Sequence, residues 1–242
     1  MPAKADPFVQ RRLLDVARID QAVAAARHRR RTLPELTVIA DGTATADKLR
    51  SALVRAQAEI GDLDRETRRL DAEIDTVRTR AKRDSDRLAS GIGQAKDLEN
   101  MQHELVSLSR RQTTLEDAAL ELMERREVAD AEQARIEREL ATARADVTAA
   151  EQRRDDAIAD IDDELERSAA ERAGLTDGMP AELIALYEQI RARGRTAAAA
   201  LNGSRCEACR MDLDRSALND IWAAGTDDIV RCTECGAILI RG

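Results

Sequence analysis

The sequence predicts a mainly α protein: a long antiparallel coiled-coil hairpin followed by a small β-rich module at the C terminus. Three observations carry that prediction. Two heptad seams are sustained over many turns, a glycine-bearing gap separates them, and all four cysteines fall within the last 37 residues. Composition agrees, because 36% of the side chains are charged and only 1% are aromatic. Phe8, Tyr187 and Trp222 are the only aromatic residues, too few to fill a large globular core.

The first seam runs by threes and fours through Leu49, Leu53, Ala56, Ile60, Leu63, Thr67, Leu70, Ile74, Val77, Ala81 and Leu88, with Asp84 alone out of place. A second begins at Leu98 and Met101 and holds phase through Leu115, Leu122, Ile136 and Leu140 to Ile161. Between them lies Ser90-Gly91-Ile92-Gly93-Gln94. A single uninterrupted helix would carry both glycines in its interior at about 1 kcal/mol each. The chain is therefore expected to fold back, with helices over 46–88 and 96–172 and a tip at 89–95.

These helices are unequal, so a third segment must cover the rest of the longer one. An N-terminal helix over about 8–31, with Val9, Leu13, Val16 and Val23 at seam spacing, is expected beside residues 143–170. Pro34 and Gly42 predict a break over 32–45. The arm then occupies 1–174. A second domain at 175–242 opens with a lead-in helix over 180–193, started by Pro180 and presenting Leu183, Leu186, Tyr187 and Ile190 on one face.

Cys206-Glu207-Ala208-Cys209 and Cys232-Thr233-Glu234-Cys235-Gly236 form two C-x-x-C knuckles. A two-residue gap lets a tight turn bring both sulfurs to one face, and two such turns supply the four thiolates of a tetrahedral site. One structural zinc per chain, held by Cys206, Cys209, Cys232 and Cys235, is the reading. Two disulfides, or iron in the same cage, are the alternatives. Four sulfurs close the coordination sphere, so the metal is expected to hold structure rather than activate water. Asn202-Gly203 reads as a hairpin turn, Ile229–Arg231 and Ala237–Ile240 as paired strands, and Leu218, Ile221 and Trp222 as the buried face of a short helix closed by Gly225.

The chain resembles the bacterial C4-type zinc-ribbon family that carries an N-terminal coiled-coil hairpin. The resemblance rests on Arg31-Thr32-Leu33-Pro34-Glu35, on Leu183–Arg191, and on Cys206–Arg210 with Cys232–Leu239. It implies the same four zinc ligands and a ribbon that serves as a protein- or nucleic-acid-binding surface. Some family members are linked to flagellar assembly and gene regulation.

Charge divides the functional readings. Residues 44–172 hold 32 acidic and 23 basic side chains, which disfavours nucleic acid along the arm. A non-catalytic adaptor that binds protein partners through ribbon and tip is the leading expectation. Its alternative is a nucleic-acid-binding regulator whose ribbon arginines, Arg205, Arg210, Arg215, Arg231 and Arg241, contact phosphates weakly, aided by the basic run Arg27–Arg31. The acidic run Asp155–Glu164 reads as a solvated helix face rather than a cation site.

His28 and His103 lie far apart, and no nucleophile-base pair or phosphate-binding glycine loop is present. No enzyme activity and no small-molecule substrate are expected. Without an apolar run of membrane length or an export-type start, the chain is expected to be cytoplasmic and free of membrane.

Overall fold

The computed structural model describes residues 4–241, and its helices and strands fall into two compact units. Residues 37–151 form one of them, built from α2 (Pro34–Ser90) and α3 (Ala95–Thr176), each of which extends beyond it. Their pairing is antiparallel. Arg78 meets Glu116 at 2.7 Å, Arg126 meets Asp64 at 2.7 Å, and Gly42 abuts Val147, so partner numbers fall on one helix as they rise on the other. Ile60, Leu63, Leu122 and Ala129 form a buried cluster on the seam, with Leu70 packed against it. Ser90 ends α2 and Ala95 begins α3; Gly91, at φ +64°, supplies the left-handed residue that reverses the chain.

The expected break over 32–45 is corrected. Only Thr32 and Leu33 separate α1 (Pro7–Arg31) from α2, because Pro34 sits at the first turn of α2, where its missing N–H has no helical partner to lose. Gly42 lies inside that helix for a packing reason. A Cβ there would stand 2.7 Å from Cγ2 of Val147, a β-branched side chain with little rotamer freedom. We predict that Gly42→Ala destabilises this unit in urea unfolding, since overpacking of about 1–3 kcal/mol exceeds the ~1 kcal/mol gain in helix propensity. Adding Val147→Ala should restore stability.

Asp84, the one residue out of step, keeps its place in the seam. It is 6% exposed, with Arg80 at 3.9 Å and Arg83 at 3.7 Å.

Residues up to 36 and from 152 onward form the other unit, so the compact division differs from the expected boundary at 174. Here α1 lies antiparallel to the end of α3: Arg18 pairs with Glu171 at 3.1 Å, Arg30 with Asp162 at 2.6 Å, and Arg29 with Glu164. With Asp20 paired to Arg172 and Arg12 donating to the Leu175 carbonyl, its partners on α3 span 162–175, while Val147 faces α2. Asp6 caps α1 by accepting from the Phe8 N–H at 2.7 Å. Arg12 donates to the carbonyls of Leu175 and Asp177, satisfying the open end of α3.

Helix α4 (Ala181–Arg191) leads to a four-stranded sheet in the order β2-β1-β4-β3, from β1 (Ala198–Asn202), β2 (Arg205–Cys206), β3 (Val230–Arg231) and β4 (Ile238–Ile240). Strand β4 runs parallel to β1 and antiparallel to β3. The pleat sorts β4 between two cores. Ile238 and Ile240 join Leu13, Val16, Leu183 and Tyr187 of α1 and α4, whereas Leu239 joins Cys206, Cys232 and Ile221 on the opposite face. Ala197 and Ala198, buried against α1, are small enough to let the helix approach the sheet closely. That shared core places α1 with the ribbon rather than with the hairpin.

Between β2 and β3 stands α5 (Arg215–Ala223), capped by Asp214, which accepts from the Ala217 N–H at 2.7 Å. Ile221 is buried, but Trp222 is 55% exposed. The expectation that Trp222 is core is corrected: at 100° per residue the tryptophan falls beyond the edge of the face that Ala217 and Ile221 occupy.

Candidate metal centre

The two knuckles share one backbone design. Each first cysteine accepts at its carbonyl from the residue four positions on, Arg210 N–H to Cys206 at 2.7 Å and Gly236 N–H to Cys232 at 2.9 Å. Each also donates to the carbonyl five positions on, Cys206 to Met211 at 3.0 Å and Cys232 to Ala237 at 2.9 Å. An arginine precedes each knuckle and locks it: Nε of Arg205 donates to the Arg210 carbonyl, and Nε of Arg231 to the Gly236 carbonyl, both at 3.0 Å.

The residue after each second cysteine is left-handed, with φ +60° at Arg210 and +79° at Gly236. Glycine suits that position, and a side chain there is strained by roughly 1–2 kcal/mol. We predict that Arg210→Gly stabilises the zinc-loaded ribbon by about 1 kcal/mol in denaturant unfolding. Gly236→Ala should destabilise it, because its Cβ would also stand 3.1 Å from the Arg231 guanidinium.

This folding brings all four sulfurs within 4.8 Å of one another. Sγ of Cys206 and Sγ of Cys235 lie 3.9 Å apart, as do those of Cys209 and Cys232. Sulfurs placed about 2.3 Å from a common centre at tetrahedral angles are separated by about 3.8 Å, so the four residues fit a zinc ion. Burial pushes the thiol of Cys235 up to about 12 and that of Cys206 upward. The Met211 N–H draws Cys209 the other way. Packing four thiolates here requires a cation to offset their mutual charge, which a divalent metal supplies.

The five ribbon arginines are not equivalent. Arg241 donates to the carbonyls of Ile221, Ala224, Gly225, Thr226 and Asp228 at 2.6–3.2 Å, clamping the end of α5 and the loop after it. Its expected role as a phosphate contact is corrected, since those guanidinium donors are already engaged. Arg205 and Arg231 each commit Nε to a knuckle. Arg210 and Arg215 form no side-chain hydrogen bond or ion pair among the described residues, and Arg215 opens α5.

The basic and acidic runs answer each other, through Arg29–Glu164 and Arg30–Asp162. Sequence reasoning missed the knuckle locks, although the repeated Arg-Cys-x-x-Cys spacing was their signal. It also missed Asp20, which accepts from the Tyr187 hydroxyl at 2.8 Å and from Nε of Arg172 at 2.8 Å. Burial and this bond to Asp20 hold the Tyr187 phenol neutral.

A helical hairpin, a closed four-cysteine cage and a small mixed sheet define the class as a zinc-ribbon protein with a coiled-coil arm. Residues 16–195 match the family model of the CT398-like coiled coil hairpin domain, and residues 205–239 match that of the C4-type zinc ribbon domain. The chain belongs to this family, and its ribbon holds one structural zinc.

It is 44% identical to an uncharacterized protein of Mycobacterium tuberculosis, over 98% of this chain and 97% of that one. A solved structure from Mycobacterium smegmatis is similar at a TM-score of 0.85 and 38% identity, covering 99% of this chain and 100% of that one. The structure of CT398 from Chlamydia trachomatis shares the fold at a TM-score of 0.59 and 16% identity, with 97% of this chain and 95% of that one covered. Among the described residues no helix is long and apolar enough to cross a membrane.

Proposed function

We propose that the protein is a cytoplasmic, non-catalytic adaptor whose zinc ribbon docks one protein partner and whose hairpin tip docks another. The observation that carries this reading is the outward aromatic surface of the ribbon-bearing unit. Trp222 is 55% exposed and Phe8 71% exposed, in a chain with only three aromatic side chains. Exposed aromatics of this kind anchor protein interfaces, because they bury a large area at little entropic cost. Ile92, 80% exposed between the two tip glycines, offers a second apolar anchor.

Nucleic-acid binding is the weaker reading. With Arg241 engaged as a clamp, few arginines remain to reach phosphates, so binding is weak and its salt slope shallow, because few phosphates are neutralised. Photo-crosslinking from positions 222 and 92, in native extract with and without nuclease, tests the proposal. Discrete protein adducts at both positions that survive nuclease support it. Sequence-selective RNA or DNA binding that persists at about 200 mM salt overturns it in favour of a regulator.

A further inference from the structure

We infer that a cavity of about 320 Å³ where α1, α4 and the approach to β1 meet binds a small dianion, the phosphate group of a compact organic phosphate. Three arginines line it, Arg27, Arg191 and Arg195, against a single acidic residue, Asp20. That carboxylate is already satisfied. It accepts from Tyr187 and Arg172 at 2.8 Å, and Arg191 lies 3.4 Å away while also pairing with Glu188 at 2.7 Å.

Arg27 and Arg195 are left over. Neither pairs with a carboxylate among the described residues, although Arg18, Arg29 and Arg30 on the same helix as Arg27 each do. Arg195 spends one nitrogen on the Cys235 carbonyl at 3.3 Å, and its remaining N–H groups stay available. Two uncompensated cations thus share one recess in a chain of net charge −8.

The chemistry of the lining selects the ligand. Guanidinium forks match phosphate oxygens in pairs, and two of them balance a doubly charged group. Gln21 and Thr196, 3.5 Å apart, add an amide and a hydroxyl to the wall, while Val23, Ala24 and Ala197 offer an apolar surface for a carbon moiety. The volume sits at the lower end for small-molecule sites, which suits one phosphate and a few carbon atoms rather than a polynucleotide. Nothing lining the cavity is a nucleophile-base pair, so the molecule is a ligand and not a substrate.

Calorimetric titration of the full-length, zinc-loaded protein at low ionic strength tests this with inorganic phosphate and phenyl phosphate. Expected is saturable one-to-one binding, tighter for phenyl phosphate. Arg27→Gln and Arg195→Gln should each weaken it at least about 10-fold, whereas Arg31→Gln at the same helix end should leave it unchanged. Affinity for phenyl phosphate should fall as pH drops below about 6, where a phosphate monoester regains its second proton. Among the described residues the Arg27 side chain makes no hydrogen bond or ion pair, so its variant separates ligand loss from unfolding. The proposal is overturned by no binding at about 10 mM of either probe, or by an equal loss in Arg31→Gln. A short single-stranded RNA that binds ahead of phenyl phosphate through Arg27 would overturn it as well.

Discussion

Removing zinc, by chelation or by Cys232→Ser, unfolds the ribbon while most of the helical circular-dichroism signal persists. The sulfurs of Cys206 and Cys232 lie in the core that Leu201, Leu213, Ile221 and Leu239 complete, and this cluster is small. A module of this size does not bury enough apolar surface to fold unaided, and zinc binding contributes roughly 10–16 kcal/mol in small zinc peptides. Residues 37–151 keep their own seam at Ile60, Leu63 and Leu122, so their helices remain. Helices α1 and α4 share a core with β1 and β4 and should loosen with the sheet. Because zinc takes thiolates, protons compete with it, and the stability it provides is present at neutral pH and lost as pH falls. Loss of all helical signal in one step with the metal would contradict this division.

Asp20→Ala is expected to cost about 3 kcal/mol. It strips the partner from the Tyr187 hydroxyl and from Arg172, and Tyr187 is only 2% exposed. Leaving such groups unpaired in a buried setting costs about 3–5 kcal/mol, and the partial exposure of the Arg172 side chain places this case at the lower end. Tyr187→Phe, which removes one hydrogen bond and leaves the Asp20–Arg172 pair, should cost about 1 kcal/mol. Thermal or urea unfolding of the zinc-loaded variants distinguishes the two. Equal, small losses for both would mean that the network joining α1, α3 and α4 contributes little.

Much of the hairpin and the cage was legible because each follows from a short-range rule. Heptad spacing needs no tertiary knowledge to place Ile60, Leu63 and Leu122 inward, and two glycines around Ile92 announce a reversal. A C-x-x-C turn brings its sulfurs together locally, so only the meeting of the two knuckles depends on the sheet. The misreadings arose where a residue's role depends on a distant neighbour. Gly42 reads as a helix breaker until Val147 packs against it, and Arg241 reads as a free cation until the carbonyls of Ile221–Asp228 surround it. Ala197 and Ala198 gave no sign that α1 would cover them. The basic run Arg27–Arg31 looked like one patch, yet acidic partners from α3 divide it into paired and unpaired members.

Zinc K-edge X-ray absorption of the purified, reduced protein tests the central claim most directly, that a closed tetrahedral cage of Cys206, Cys209, Cys232 and Cys235 organises the ribbon. The expected result is one zinc per chain with four sulfur neighbours at about 2.3 Å and no nitrogen or oxygen ligand. A mixed shell containing water or imidazole, or iron in place of zinc, would contradict it.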